Sequence, residues 1–296
     1  MAEHATREQT GPAKTGCHLR LHWHSRLRQA VREIAQATPA LGLHFATESG
    51  RAAPVQRLTR KLLQRCCGVS SRGAMRLAQL YLLSYNSAQL AAWACVFVAC
   101  AAAAQSAPTL PAAAAAAYAA SHRIVSACQS VTLLETVHAL TGLTRSGVAG
   151  NVMQWAGRTH CWFVLTQVAA LQSSPATLAL LLAWSLSDVV RYSWAALTAL
   201  GVCPRSLTWL RYTVFVPLYP IGFISELTLL RGGLPAAAAG AIVQPLKLPN
   251  ALNFSFDYSY FLLFVLLIYP GAWLQLYAHV FRQRAKLFSA GAKKQQ

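Results

Sequence analysis

Tyr219 and Glu226 are the two side chains best suited by type and spacing to move protons in this sequence. A phenol and a carboxyl can divide general-base and general-acid work between them. In a helix, seven steps of about 100° return the second side chain to within roughly 20° of the first, two turns and about 10 Å further along. The pair therefore shares a face. Both lie in Trp209–Glu226, WLRYTVFVPLYPIGFISE, which is apolar enough to enter a bilayer yet carries Arg211, Tyr212 and Ser225 as well. A charge at membrane depth is costly and asks for a reason. Pro217, Pro220 and Gly222 fall around the pair, and the hydrogen bonds lost at proline predict a kinked helix there. Residue types alone leave a plainer reading open, with the tyrosine an interfacial anchor and the glutamate a buried structural partner.

Few other groups compete for the chemistry. Beyond residue 78 the acids are Glu135, Asp188, Glu226 and Asp257; Asp257 falls at the edge of an apolar run, and of the rest only Glu226 has a tyrosine in matching helical phase within a broken helix. Gln154 and Arg158, four apart, share a helix face, and Asp188 and Arg191, three apart, can pair. An ion pair in such a place is often purely structural. The eight cysteines form no C-x-x-C pair, and His18, His22 and His24 near Cys17 read as solvated side chains. Neither a metal site nor a disulfide framework is expected. His160-Cys161 opens like a phosphatase loop, but that chemistry needs an arginine six residues after the cysteine, and position 167 is Gln.

The elements that must position these groups are membrane helices. Of 296 residues, 55% are hydrophobic and 11% charged, against about 25% charged in soluble domains. The net charge of +18 is concentrated at the ends. Half of the lysines and arginines lie in residues 1–78, opposed only by Glu3, Glu8, Glu33 and Glu48. A basic flank before the first apolar run marks the cytosolic side, and no nucleic-acid module accompanies it.

We therefore expect an all-α polytopic membrane protein, a bundle of six transmembrane helices at about 79–104, 112–140, 147–171, 176–200, 207–230 and 258–281. The second span is interrupted in its pattern by His122 and Arg123, and the loop 232–253 carries Pro235, Pro245 and Pro249. This divides the chain into a basic, mostly disordered extension (1–78), a membrane domain (79–281) and a basic tail (282–296). Within the extension, Val55–Arg76 has Leu58, Leu62 and Leu63 on one helical face and suits an anionic membrane surface; Cys66-Cys67 are candidates for palmitoylation. The Arg-rich stretch 14–32 has the flavour of an organelle transit peptide, though Glu3 and Glu8 speak against it. Six spans place both basic ends in the cytosol.

Arg211-Tyr212, Leu218-Tyr219-Pro220-Ile221-Gly222 and Ser225-Glu226 together resemble the signature of the very-long-chain (3R)-3-hydroxyacyl-CoA dehydratases, membrane-embedded enzymes once called protein-tyrosine-phosphatase-like proteins. The resemblance runs from about Tyr81 to Phe281 and is sharpest in the third to fifth spans, where Gln154 and Arg158 are similar to the family's Q-x-x-x-R and Asp188 to Tyr192 to its acidic-x-x-R-Y. Departures are Asp188 where glutamate is common, the alanine-rich second span and the long basic N-terminus.

The resemblance implies that Tyr219 and Glu226 are the catalytic pair, that Gln154, Arg158, Asp188, Arg191, Tyr192 and Arg211 bind substrate, and that 3-hydroxyacyl-CoA loses water to give the trans-2-enoyl-CoA. It implies no cofactor. The partners would be the condensing enzyme and reductases of fatty acid elongation, in the endoplasmic reticulum membrane. Lys293-Lys294, three and four from the C-terminus, resemble a dilysine retrieval signal of that compartment. The residues do not say which of Tyr219 and Glu226 takes the carbon proton. Two alternatives stand beside this reading: a catalytically inactive membrane scaffold of the same fold, and a small-solute transporter, for which broken helices with buried charges are also typical.

Overall fold

The computed structural model describes residues 71–144, 146–246, 248 and 254–292. The readings of the N-terminal extension, apart from the first helical turns at Ser71–Arg76, and of Lys293-Lys294 lie outside these residues. The chain divides into two units at Ala74, and the second, Met75–Gln296, holds the site.

Local sequence sets the helix limits. Thr109 caps α2 (Leu110–Leu140) by accepting from the Ala112 N–H, with Pro111 in the first turn, and Ser174 does the same for α5 (Pro175–Ala199) through Ala176. Such a cap satisfies one of the amide groups left open at a helix start, and proline there has no N–H to waste. At the far ends, Gly142 and Gly201 take φ of 70° and 74°, the left-handed conformation in which glycine carries no Cβ penalty. The remaining elements are α1 (Ser71–Ser106), α3 (Val148–Gln167), α4 (Ala169–Gln172), α6 (Arg205–Gly232), α7 (Leu234–Ala238) and α8 (Tyr258–Ala292).

The described residues form an all-α fold, with one isolated antiparallel bridge, Leu246 to Phe256, across the loop before α8. Six of the helices are long. Three of them, Met75–Ser106, Arg205–Ala238 with α7 included, and Tyr258–Ala285, are long and apolar enough to cross a membrane. The other long helices, α2, α3 and α5, carry the polar residues Glu135, Asn151, Gln154, Arg158, Asp188 and Arg191, which lower their hydropathy. The same side chains that build an interior site thus weaken the spanning signal of the helices that carry them.

Three sequence expectations are corrected in detail. α2 runs unbroken past His122 and Arg123, whose side chains lie partly or fully exposed while Ser121 and Val125 face inward. The third apolar run divides at Val168, where the backbone turns extended (φ −117°, ψ 100°) between α3 and α4. The loop 232–253 contains the short helix α7.

Packing explains the alanine run. Ala113, Ala114 and Ala117 are buried with Trp93, Val96 and Cys100 of α1 in the common core, alongside Leu180 and Leu181 of α5 and Leu229 and Leu230 of α6. Small side chains let helices approach closely where lipid offers no hydrophobic drive to association. The outward face of α8 is apolar, with Leu263, Phe264 and Leu267 exposed. α6 packs most extensively on α5 and also meets α3 and α8, so its inward residues face three neighbours at once.

Candidate active site

A cavity opens between α3, α5, α6 and α8. α6 supplies Tyr219 and Glu226 to its wall with Gly222 between them, as the seven-residue phase predicts. A Cβ built on Gly222 meets nothing nearer than Trp184 Nε1 at 4.0 Å; the glycine leaves open space between the phenol and the carboxyl.

α6 continues through both prolines. Pro220 has no N–H to give the carbonyl four residues back, and that carbonyl, Val216 O, accepts instead from the Tyr277 hydroxyl of α8 at 3.0 Å. The proline thus ties α6 to α8 at the level of the site. The Tyr277 ring also stacks on Tyr219, with centroids 6.0 Å apart, and Phe215 meets Tyr219 edge-on at 5.9 Å. Among the described residues the Tyr219 hydroxyl makes no hydrogen bond.

Glu226 is buried, at 8% exposure. Trp184 Nε1–H donates to its Oε1 at 2.8 Å, and the Tyr269 hydroxyl donates to its Oε2. The carboxylate is thus satisfied by neutral donors from α5 and α8. A buried indole needs an acceptor for its N–H, and here the acceptor is the candidate catalytic group.

Beside this cavity lies a chain of charges. Arg158 NH2 bonds Asp188 Oδ2 at 2.7 Å, and Asp188 Oδ1 receives Arg191 Nε at 3.0 Å, as the three-residue spacing anticipates. Arg191 NH1 continues to Glu135 Oε2 at 2.6 Å, and Glu135 Oε1 accepts from Tyr192 at 2.6 Å and from Tyr85 at 3.2 Å. The Arg158 guanidinium also lies over the Trp184 ring, 4.3 Å from its centroid. The chain therefore ends on the indole that holds Glu226.

Of the predicted binding residues, Gln154 and Arg158 line the cavity with the pair. Asp188, Arg191 and Tyr192 do not; Asp188 and Tyr192 are each 1% exposed and stand behind Arg158 in the charge chain. Arg191 instead reaches a small polar recess that shares Gln154 and Arg158 with the cavity. Arg211 lies over the Trp194 ring at 4.0 Å, away from both. Sequence reasoning missed Trp184 and Tyr269 as partners of Glu226. The Tyr269-Pro270-Gly271 run is visible as an irregularity of the last span, but nothing in one sequence says which way the phenol faces.

Cys161 is fully buried in mid-α3, and the His160 ring nitrogen meets the Tyr258 hydroxyl at 2.7 Å. A thiol enclosed in a helix cannot present itself to a phosphate ester, so no phosphatase loop exists here. Among the described residues no group of three or more His, Cys, Asp or Glu side chains is placed to hold a metal.

Known proteins are similar to this chain over most of its length. The family model described as protein tyrosine phosphatase-like protein, PTPLA, matches residues 129–290. The chain is 31% identical over 219 residues to the very-long-chain (3R)-3-hydroxyacyl-CoA dehydratase 2 of Mus musculus, covering 74% of this chain and 84% of the relative. It is 33% identical over 220 residues to the dehydratase hpo-8 of Caenorhabditis elegans, covering 74% and 99%. The Oryza sativa dehydratase PASTICCINO 2A is 33% identical over 210 residues, covering 70% and 92%. No solved structure matches the chain. With Tyr219 and Glu226 facing one cavity inside a helical bundle, and relatives that match it over most of their own length, this chain belongs to the protein tyrosine phosphatase-like family.

Proposed function

We propose that the protein is a very-long-chain (3R)-3-hydroxyacyl-CoA dehydratase, a hydro-lyase that removes water from the 3-hydroxyacyl-CoA of fatty acid elongation to give the trans-2-enoyl-CoA. The observation that carries the reading is the shared cavity: a phenol and a buried carboxylate on one helix face, with open space between them, in a chain whose relatives bear that activity in their names.

In the scheme we favour, Glu226 takes the C2 proton that the thioester makes acidic, and the C3–O bond breaks as Tyr219 gives its proton to the departing hydroxyl. The electron pair of the C2–H bond becomes the new double bond, and water leaves. Two features support this division. The Tyr219 hydroxyl makes no hydrogen bond among the described residues and is available as a donor, while Glu226 accepts two neutral donors and keeps lone pairs for the incoming proton. Return of the proton from Glu226 to Tyr219 resets the site. The scheme calls on no metal and no redox cofactor.

Gln154 and Arg158, on the cavity wall, are the residues we assign to the substrate's polar end. Asp188, Arg191 and Tyr192 then act one step back, by holding Arg158. Arg211, which makes no ion pair among the described residues, is the cation we assign to the CoA phosphates. The apolar part of the cavity takes the acyl chain, whose transfer from water is worth about 0.8 kcal/mol per buried methylene.

We further propose six spans, formed by α1, α2, α3, α5, α6 and α8, with both basic ends cytosolic. A 20-residue helix such as α3 spans about 30 Å, the thickness of a bilayer core. Residues 79–281 are then the catalytic membrane domain, residing in the endoplasmic reticulum beside the condensing enzyme and reductases of elongation, between the extension 1–78 and the tail 282–296.

The test is turnover of a long-chain 3-hydroxyacyl-CoA by the purified protein in detergent, beside Tyr219→Phe and Glu226→Gln. Wild-type conversion abolished by both changes in folded protein is the expected result. Folded wild type that fails across several chain lengths points to the non-catalytic scaffold; conversion that survives both changes keeps the activity and moves the site.

A further inference from the structure

Glu226 has two partners that exchange no proton in the catalytic scheme, Trp184 and Tyr269. We infer that Tyr269 of α8 is a positioning residue for the reaction: its hydroxyl, given to Glu226 Oε2, sets the carboxylate's direction across the cavity together with the Trp184 indole on Oε1.

A carboxylate on one flexible stem can rotate about its terminal torsion with little cost, since such torsions are broad. One donor would leave that rotation partly open. Two donors arriving from different helices, one on each oxygen, remove it, and both are rigid aromatic groups with their own supports. The Tyr269 ring lies parallel to Phe223 of α6, 6.1 Å between centroids and 3° between planes, and Phe223 in turn stacks on Trp273 at 4.3 Å. On the other side the Tyr269 phenol passes Gly157 of α3, where an added Cβ would sit 3.5 Å from both the ring and the hydroxyl. Phe223, Gly157 and the carboxylate thus bound the phenol on three sides. Trp184 is held from behind by the Arg158 guanidinium.

Tyr269 and Tyr219 both line the cavity with Glu226, and the two phenols differ in one respect. Tyr219 has its hydroxyl uncommitted, whereas Tyr269 spends its proton on the carboxylate. The first is placed to meet substrate and the second to hold the group that meets it. Preorganised groups of this kind act by fixing a reacting atom where the transition state needs it.

The inference rests on Glu226 being catalytic, so the experiment runs wild type, Glu226→Gln, Tyr269→Phe and a full-length protein carrying 3,5-difluorotyrosine at 269 in parallel. Each is purified in detergent and assayed with a long-chain 3-hydroxyacyl-CoA across pH. Tyr269→Phe is expected to lower kcat about 10- to 100-fold, the worth of one hydrogen bond to a charged group, with KM changed less than about threefold. The acid limb of its pH profile moves from the wild-type position. Fluorination changes the acidity of the phenol with little change of shape, and moves that limb the opposite way. A role confined to packing would leave both limbs in place. Wild-type kcat and an unmoved profile in Tyr269→Phe, with Glu226→Gln inactive, overturn the inference while leaving the dehydratase intact. Wild type without turnover overturns the reading on which it depends. Should Tyr269→Phe fold poorly, the fluorinated protein decides alone, an unmoved profile again counting against the inference.

Discussion

Two regions of the bundle satisfy buried polar groups in opposite ways. Along α2, α3 and α5, each charge meets a countercharge: Arg158 with Asp188, Asp188 with Arg191, Arg191 with Glu135. In the cavity between α3, α5, α6 and α8, Glu226 hydrogen-bonds only an indole and a phenol among the described residues. Charges paired in a dry interior are mutually compensated and costly to disturb. A carboxylate held by neutral donors is oriented without being neutralised, and remains free to accept a proton. On the proposed reading, the comparison separates a region that builds the site from one that reacts.

Substitutions sharpen that contrast. The largest effect is expected at Glu226→Gln, which keeps the shape and removes the base; turnover should fall about 10²- to 10⁴-fold with the unfolding temperature in detergent near wild type. Turnover close to wild type would erase the distinction between the regions. Asp188→Leu should do the reverse and strike stability first, because Arg158 and Arg191 lose the carboxylate between them. Breaking a buried pair costs about 3–5 kcal/mol, read as a lowered unfolding temperature and loss of folded yield.

Gly222→Leu comes next. It fills the space between phenol and carboxyl, and conversion of long-chain substrate should drop about tenfold or more through a raised KM, a change of roughly 1–3 kcal/mol in pocket contacts. Gly222→Ala, with no contact inside 4.0 Å, should be nearly silent. The smallest loss expected, apart from the near-silent Gly222→Ala, comes from Tyr277→Phe. It leaves Val216 O without its donor and should lower stability by about 1 kcal/mol, with turnover changed only a fewfold.

The sequence told much about α6 and little about what surrounds it. Helical phase alone placed Tyr219 and Glu226 on one wall, and the three- and four-residue spacings placed Asp188 with Arg191 and Gln154 with Arg158. These are local relations, fixed by the geometry of a single helix. Trp184 and Tyr269 lie 42 and 43 residues from Glu226, and no spacing rule reaches across helices. Asp188 and Tyr192 are expected at the substrate only through the family resemblance; the packing of α5 against α2 sets them behind Arg158 instead of on the cavity wall. The alanine run of α2 is an oddity as text, yet it makes sense once Trp93 of α1 is seen sharing the core with it.

The hydrogen bond from Tyr277 to the Val216 carbonyl also orders events in time. Of the helices described, α8 is the last to leave the ribosome. Until it arrives, the carbonyl freed by Pro220 has no donor, Glu226 lacks the Tyr269 hydroxyl, and the cavity lacks a wall. α6 can enter the bilayer carrying both members of the pair and still be unfinished. On the proposed reading the constellation is completed only when α8 docks, so a nascent chain would present no working site before that contact forms.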